Sequence, residues 1–541
     1  MIARTLKPFV VASAALLASC GPPVVVATPV PVSARPNIAG NWLVAVENPT
    51  DGTFRRTYFT LDQTGDQISG TIKNNNSRVT INESTWDSTG FSVTSVTRNG
   101  NNERRTTYDG RLVGNELHLV MRRRAPGTPG GPPARPAGSP PQAAPQGPPP
   151  EIVAHRVATG EGALPERILL PVLHKVTDNG IARTPAMGWN SWNKFAGRVD
   201  DASVRSMADA MVSSGMKDAG YTYINIDDTW ESDQRDAQGN ITTNRKFPDM
   251  KALADYVHSK GLKIGIYSSP GPTTCAGYIG SYGHEAQDAK TFANWGIDYL
   301  KYDWCGASML HGQQDEQAMY QIMGDALLAS GRQILYSLCQ YGAVDVWKWG
   351  PDVGGNSWRT TGDISDRWSS MVGIGFRQGE LAPYAKPGHF NDPDMLEIGN
   401  GGMTDNEYRT HMSLWSMLAS PLLAGNDLRT MTPSIHDILT NGDVIAIDQD
   451  PLGKQASRVA GADSTREIWS RPLADGGYAV AAFNRDSTDK QMTIDFAAIG
   501  IDMRGRKVRD LWAHKDVAVR GTPSYAEVVP SHGVLMLRVS K

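Results

Sequence analysis

From Thr184 to about residue 452 the chain alternates strand-like and helix-like stretches, and polar or acidic residues recur where the strands end. Tyr221-Thr222-Tyr223-Ile224-Asn225-Ile226 closes on Asp227 and Asp228, and Tyr299-Leu300-Lys301-Tyr302 closes on Asp303. Lys263-Ile264-Gly265-Ile266-Tyr267 and Ile334-Leu335-Tyr336-Ser337-Leu338 are further strands, and Trp358-Arg359 and Phe390-Asn391-Asp392 mark later ones. The βα unit returns roughly every 35–40 residues over about 270 residues. No Gly-x-Gly-x-x-Gly follows the first strand, so the pattern predicts a (β/α)8 TIM barrel rather than a doubly wound sheet. Sites in such barrels lie at the C-terminal ends of the strands, where these carboxylates fall.

The flanks divide the rest of the 541 residues. Residues 1–20 read as a lipoprotein signal peptide. Arg4 and Lys7 supply the positive start, Phe9 to Ala18 the short apolar run, and Leu17-Ala18-Ser19-Cys20 the lipidation box at Cys20. The competing reading is an ordinary signal peptide with a stray cysteine. Both imply export and permit disulfides. Gly21 after the cysteine points to the outer membrane of a Gram-negative bacterium, with the lipid as the only membrane attachment. Residues 37–123 carry short strands (Trp42–Val46, Tyr58–Leu61, Gln67–Ile72, Leu117–Val120) between Gly- and Asn-rich turns, which predicts a small all-β barrel or sandwich. Residues 124–150 form a Pro/Gly/Ala-rich linker: from Ala125 to Pro150, eleven of 26 residues are proline. The catalytic barrel is expected over 179–452. An antiparallel β-sandwich is expected over 453–541, where Glu467–Ser470, Tyr478–Phe483, Met492–Asp495 and Val534–Val539 alternate.

Composition narrows the chemistry. The 53 basic and 56 acidic side chains leave a net charge of −3, which excludes a dedicated nucleic-acid binder. Four cysteines without a C-x-x-C pair exclude a zinc finger. A barrel with acidic strand ends then suits a glycosidase with a carboxylate pair or a divalent-metal enzyme. The barrel histidines (His258, His284, His311, His389, His411) show no ligand spacing. Trp189, Trp192, Trp230, Trp304 and Trp358 stand beside the strand-end polar residues, as stacking partners for a sugar would. Carbohydrate is therefore the expected partner, with no cofactor and no metal.

Five ordered motifs carry a resemblance. Met187-Gly188-Trp189-Asn190-Ser191-Trp192, Asn225-Ile226-Asp227-Asp228-Thr229-Trp230, Lys263-Ile264-Gly265-Ile266-Tyr267, Leu300-Lys301-Tyr302-Asp303-Trp304-Cys305 and Asn391-Asp392-Pro393-Asp394-Met395 closely resemble glycoside hydrolase family 27, the α-galactosidase (melibiase) family. The likeness runs from about Asn179 to the C-terminus. It implies a retaining glycosidase that releases terminal α-linked galactose by double displacement. Asp303, in the K-Y-D motif, would be the nucleophile. Asp363, in Trp358-Arg359-Thr360-Thr361-Gly362-Asp363, would be the acid/base. Retention requires carboxyls about 5–5.5 Å apart, and the roles require split pKa values. Asp227, Asp228, Lys301 and Arg359 would grip hydroxyls, Trp192 would stack on the sugar, and Tyr267 and Met395 would line the pocket.

Cys275 and Cys305 match the family's disulfide beside the nucleophile. Cys339 and Tyr341 stand where the family reads the 2-position of the sugar, and favour galactose. Read in isolation, Asp227-Asp228 would cap a helix, Asp303 would pair with Lys301, Asp363 would cap the following helix, and Cys339 would be a small buried apolar residue. Asp392 and Asp394 read as structural residues of the proline turn. The family's second disulfide is missing, since its positions hold Thr229 and Ala196 or Gly197. Phe390 replaces the usual Trp, and Gln340 and Tyr341 replace a plant Glu and Trp. The alternatives are a β-L-arabinopyranosidase or α-N-acetylgalactosaminidase of the same family, and, from another class, a non-catalytic sugar-binding surface lipoprotein. The sequence carries no signal for an oligomeric state.

Overall fold

The computed structural model describes residues 35–75, 77–99, 102–122, 150–461, 465–519 and 523–541. The signal segment with Cys20, and residues 124–149 of the linker, lie outside the described residues.

The N-terminal module is a closed barrel of eight strands. They run Gly40–Glu47, Phe54–Thr64, Gln67–Lys73, Arg78–Trp86, Phe91–Asn99, Asn102–Val113, Glu116–Met121 and Glu151–Val157. Trp42, Phe59, Ile68, Ile81, Val93, Leu117 and Leu119 fill it. The last strand corrects the expected boundaries. Glu151–Val157 pairs antiparallel with Glu116–Met121, placing Leu119 opposite Ile152 and Glu116 opposite His155. The proline-rich segment is therefore an insertion between the seventh and eighth strands of the module, not a linker that follows it. Without that strand the seventh would present an open edge, and closure removes it.

The second barrel consists of β1 (Met187–Asn190), β2 (Tyr223–Asn225), β3 (Lys263–Ser268), β4 (Tyr299–Asp303), β5 (Leu335–Cys339), β6 (Ser357–Arg359), β7 (Phe390–Asp392) and β8 (Leu422–Ala424). They form one sheet in the order β7-β6-β5-β4-β3-β2-β1-β8. Its pairs are parallel, and a parallel bridge between Leu396, just past β7, and Ala424 of β8 links the two ends of the sheet. Helices connect the strands. Asp200 caps Asp201–Ser213 through a reciprocal bond with Ser203, and Val204, Met207, Ala208 and Met211 form its buried stripe.

Strand parity sorts the barrel residues. Ile224, Ile264, Ile266, Leu300, Tyr302, Tyr336, Leu338 and Trp358 point outward into the large core beneath the helices. Tyr223, Tyr299, Leu335 and Leu423 point inward and form a small apolar plug with Met395. Gly265 sits inside too, where a Cβ would strike Asn225 Oδ1 at 2.1 Å. Further along the same inward rows come Lys301 and Asp303 on β4, Cys339 on β5 and Arg359 on β6. The interior is thus apolar where the strands begin and charged at their C-terminal end.

The C-terminal domain joins a six-stranded antiparallel sheet to a two-stranded one. Tyr478–Asn484 is buried on both faces. Ala479, Ala481 and Phe483 join the large core of the catalytic barrel, while Val480 and Ala482 pack with Ile494, Leu535 and Leu537 between the sheets. Helix Asp405–Met417 is buried on nearly every side because it lies between barrel and sheet, where Thr410 donates to His532 O (2.7 Å).

Two loops that the family joins by a disulfide are joined here differently. Gly197 faces Thr229, whose Cγ2 lies 3.6 Å from where a Gly197 Cβ would be. The buried Lys246 ammonium donates to Gly197 O (3.0 Å) and Thr229 Oγ1 (2.9 Å). Lys246→Met keeps the length of the side chain and strands both acceptors. It should lower stability by about 1–3 kcal/mol in chemical denaturation. An unchanged unfolding midpoint would show that the ammonium does not hold the loops together.

Candidate active site

The charged end of the barrel is assembled from the last residues of consecutive strands. Asp303 ends β4 and lies in register with Cys339, which ends β5. Arg359 ends β6 in register with Asp392, which ends β7. Asp227 and Asp228 follow β2 directly. The next helix after them begins at Met250, so neither is a helix cap.

Asp227 accepts three hydrogen bonds. Its Oδ2 accepts from Lys301 Nζ (2.8 Å) and Asn190 Nδ2 (2.9 Å), and its Oδ1 accepts from the Asp228 N–H (2.9 Å). Lys301 is therefore paired with Asp227, not with Asp303 as the bland reading of the K-Y-D motif has it. Burial works against the Lys301 charge, but the carboxylates of Asp227 and Asp303 outweigh it and hold its pKa well above the usual lysine range. Asp228 accepts the N–H groups of Thr229 (2.6 Å) and Ala276 (2.7 Å). Burial still pushes its carboxyl up to about 7.

Asp303 is buried, and its Oδ1 accepts from Tyr341 Oη (2.8 Å). Burial raises its pKa, against the opposing Lys301 charge and the Tyr341 hydrogen bond. Asp363 is its opposite, with a side chain 69% exposed. Arg359 links the two regions. Its Nη2 donates to Asp363 Oδ1 (3.0 Å) and Thr361 O (3.1 Å), and its Nη1 faces the Cys339 thiol at 3.6 Å. The same guanidinium pairs with Asp394 Oδ2 at 3.2 Å, and Asp394 also accepts the Ile364 N–H (2.8 Å).

Asp394 therefore does more than the turn role read from the sequence, since it braces the segment that carries Asp363. Asp392 does serve the turn, accepting the Asp394 N–H (2.8 Å), and burial pushes its carboxyl up to about 6. Asn190, inside the G-W-N-S-W motif, joins the group as well by holding Asp227, a contact that the motif alone does not announce. Asp366 is engaged elsewhere, by Tyr408 Oη (3.0 Å) and the Gly402 N–H.

The remaining expected residues fall around this group. Lys301 Nζ lies 5.5 Å from the centre of the buried Tyr267 ring. Met395 is in the apolar plug, and the half-buried Trp192 packs against that plug. Cys275 and Cys305 form a disulfide, with Cys305 Sγ 3.6 Å from Asp303 Oδ1, and Cys339 is a free buried thiol. Cys275, Asp303 and Cys305 cluster closely enough to suggest metal ligands, but the disulfide consumes both thiolates and leaves a single carboxylate.

The tryptophan expectation needs correction. Trp189, Trp230 and Trp358 are fully buried. Trp189 and Trp358 sit at outward parity on β1 and β6, and their indole N–H groups donate to Asn426 O and Asn391 Oδ1 (2.8 Å each). Trp230 donates to Tyr267 O (2.9 Å) and packs edge-on against Phe292 and Trp295. They are core residues. Trp304, partly buried, stacks on Tyr320, which leaves Trp192 as the tryptophan beside the charged group.

Comparison with known proteins agrees with this layout. Residues 184–450 match the family model described as alpha galactosidase A, and 463–539 match the alpha galactosidase C-terminal beta sandwich domain. An alpha-galactosidase of Cyamopsis tetragonoloba is 47% identical over 369 residues, covering 67% of this chain and 87% of that protein. Alpha-galactosidase A of Cellvibrio japonicus is 47% identical over 382 residues, covering 66% of this chain and 93% of that one. The crystal structure of alpha-galactosidase I from Mortierella vinacea superposes with a TM-score of 0.64 at 37% identity, over 67% of this chain and 98% of its own.

The raised pKa of Asp228 has a consequence for stability. A carboxyl at about 7 in the folded protein, against an ordinary value near 4, favours folding fully below the ordinary value. That contribution is lost as pH rises through about 7. Asp228→Asn removes the titration. Its stability relative to the unaltered protein should therefore improve between pH 4 and 8, by up to about 1.4 kcal/mol per pH unit. Melting temperatures across that range measure it, and a constant gap would show that Asp228 stays ionised throughout.

Proposed function

The chain belongs to the α-galactosidase (melibiase) family, glycoside hydrolase family 27, and on that premise we propose that it is an exo-acting retaining α-galactosidase. The observation that carries the reading is the contrast between two carboxyls tied into one network. Asp303 is buried and bonded by Tyr341, while Asp363 stands exposed on Arg359. A nucleophile must be fixed and shielded. An acid/base must reach the leaving oxygen and then a water molecule.

In the first step an oxygen of Asp303 attacks the anomeric carbon, the bond to the leaving oxygen breaks, and that oxygen takes the proton of Asp363. In the second, Asp363 removes a proton from water, the water oxygen attacks the anomeric carbon, and the Asp303 carboxylate departs. Asp227, Lys301 and Arg359 supply charged partners for the galactose hydroxyls. The apolar plug of Tyr223, Tyr299, Leu335 and Met395 closes the barrel below them. A pocket with a floor accepts the end of a glycan chain, not its middle, which supports exo action. Cys339 and Tyr341 beside Arg359 support galactose over N-acetylgalactosamine, whose acetamide needs extra room there.

Export and lipidation at Cys20 complete the proposal. The positive start, the apolar run and the Leu17–Cys20 box support them, as does a disulfide beside Asp303.

The purified protein should hydrolyse an aryl α-galactoside and release α-galactose first. Asp303→Asn should lose about ten-thousand-fold in kcat. Asp363→Ala should lose about 10²–10⁴-fold, least with a nitrophenyl leaving group that needs no proton. Faster turnover of an aryl β-L-arabinopyranoside or α-N-acetylgalactosaminide would replace the substrate assignment, and galactose binding without turnover of any would replace the enzyme. For the anchor, Cys20→Ala should move the protein from the membrane fraction to the soluble one. An unchanged distribution would contradict lipidation.

A further inference from the structure

Tyr341 departs from the plant pattern, which has tryptophan at this place, and brings a phenol hydroxyl to the nucleophile. Its hydroxyl donates directly to Asp303 Oδ1 at 2.8 Å. The geometry points to Tyr341 as the positioning residue of the nucleophile: its phenol holds one oxygen of Asp303, favours the ionised carboxylate, and eases departure of that carboxylate from the glycosyl-enzyme.

The backbone is built for this contact. Tyr341 has φ 65°, left-handed and unfavourable for a residue with a side chain, and Gly342 follows at φ 80°. At Gly342 a Cβ would lie 2.2 Å from Thr360 O, so the turn is pressed against the strand end that carries Arg359. Val344 (φ 45°) and Asp345 (φ 53°) continue the strained segment. For residues with a side chain such backbone is unfavourable and persists only where the surroundings impose it. Here the strain swings the phenol from the end of β5 back over its neighbour β4. The ring is held from two sides, with the Arg359 guanidinium 5.6 Å from its centre and Cys275 Sγ 3.8 Å from its hydroxyl. Partial withdrawal from water and the adjacent Asp303 carboxylate keep the phenol protonated well above neutral pH, so it donates to Asp303.

The hydrogen bond acts differently on the two states of Asp303. It is strong to the carboxylate and weaker to the ester carbonyl of the glycosyl-enzyme. It therefore lowers the nucleophile's proton affinity and favours the second step, in which the ester bond breaks and the electron pair returns to Asp303.

This inference rests on the α-galactosidase reading, and the test separates the two. In Tyr341→Phe the acidic limb of kcat/KM for an aryl α-galactoside should move up by about one pH unit, since that limb reports the nucleophile of the free enzyme. With a nitrophenyl leaving group, kcat and KM should fall together by about tenfold as the glycosyl-enzyme accumulates. Tyr341→Leu removes the donor without supplying another and should move the limb the same way, which covers a failure of the first variant to fold. Wild-type turnover with an acidic limb moved by less than about 0.2 pH unit in the folded variants overturns the inference alone. No wild-type turnover overturns the family activity and the inference with it.

Discussion

The ammonium of Lys301, bonded to Asp227 in the mouth of the barrel, is the interaction on which the rest of the site depends. Five buried carboxylates (Asp227, Asp228, Asp303, Asp392 and Asp394) crowd one end of the strands, and among the described residues Lys301 and Arg359 are the cations that form ion pairs with them. Isolated buried charges are prohibitively costly, so the group survives by sharing. Lys301 neutralises Asp227 and also lowers the cost of charge on Asp303. Arg359 spans Asp394, Asp363 and the Cys339 thiol. Burial outweighs this help at two positions, and pushes the carboxyls of Asp228 and Asp392 up to about 7 and about 6. The site is thus a balance of charge in which one carboxylate is kept ionised and ready.

That balance is possible because the strands alternate. Lys301 and Asp303 are two residues apart on β4 and face the same way, with Tyr302 between them facing the helices. The same parity puts Arg359 in the mouth and Trp358 in the core. This parity is written in the sequence, and it sets Trp189 and Trp358 on the opposite face from Asp303 and Arg359. Sequence proximity to a motif is not the same as sharing its face.

The catalytic barrel and its site were legible because both are written locally, in strand ends of a repeated unit. The motifs were enough to bring together Asp227, Lys301, Asp303 and Arg359. What escaped was set by pairing over distance. The eighth strand of the N-terminal barrel, Glu151–Val157, follows a proline-rich stretch and reads as a strand only once Glu116–Met121 offers it an edge. Asp394 looked like a turn residue because its partners, Arg359 and the Ile364 N–H, come from another strand end. Tyr341 was placed near the sugar, but its bond to Asp303 depends on a left-handed backbone that no residue type announces.

The central claim is that Asp303, and no other carboxylate of the crowded mouth, forms the bond to the sugar. A 5-fluoro-α-galactosyl fluoride slows both steps by opposing charge at the ring oxygen, while its fluoride leaving group restores the first, so the covalent intermediate accumulates and can be located by mass spectrometry of proteolytic peptides. The account predicts one fluorogalactosyl group per chain, carried on Asp303. A label on Asp227, Asp228 or Asp363, or steady turnover of α-galactosides with β-galactose as the first product, would contradict it.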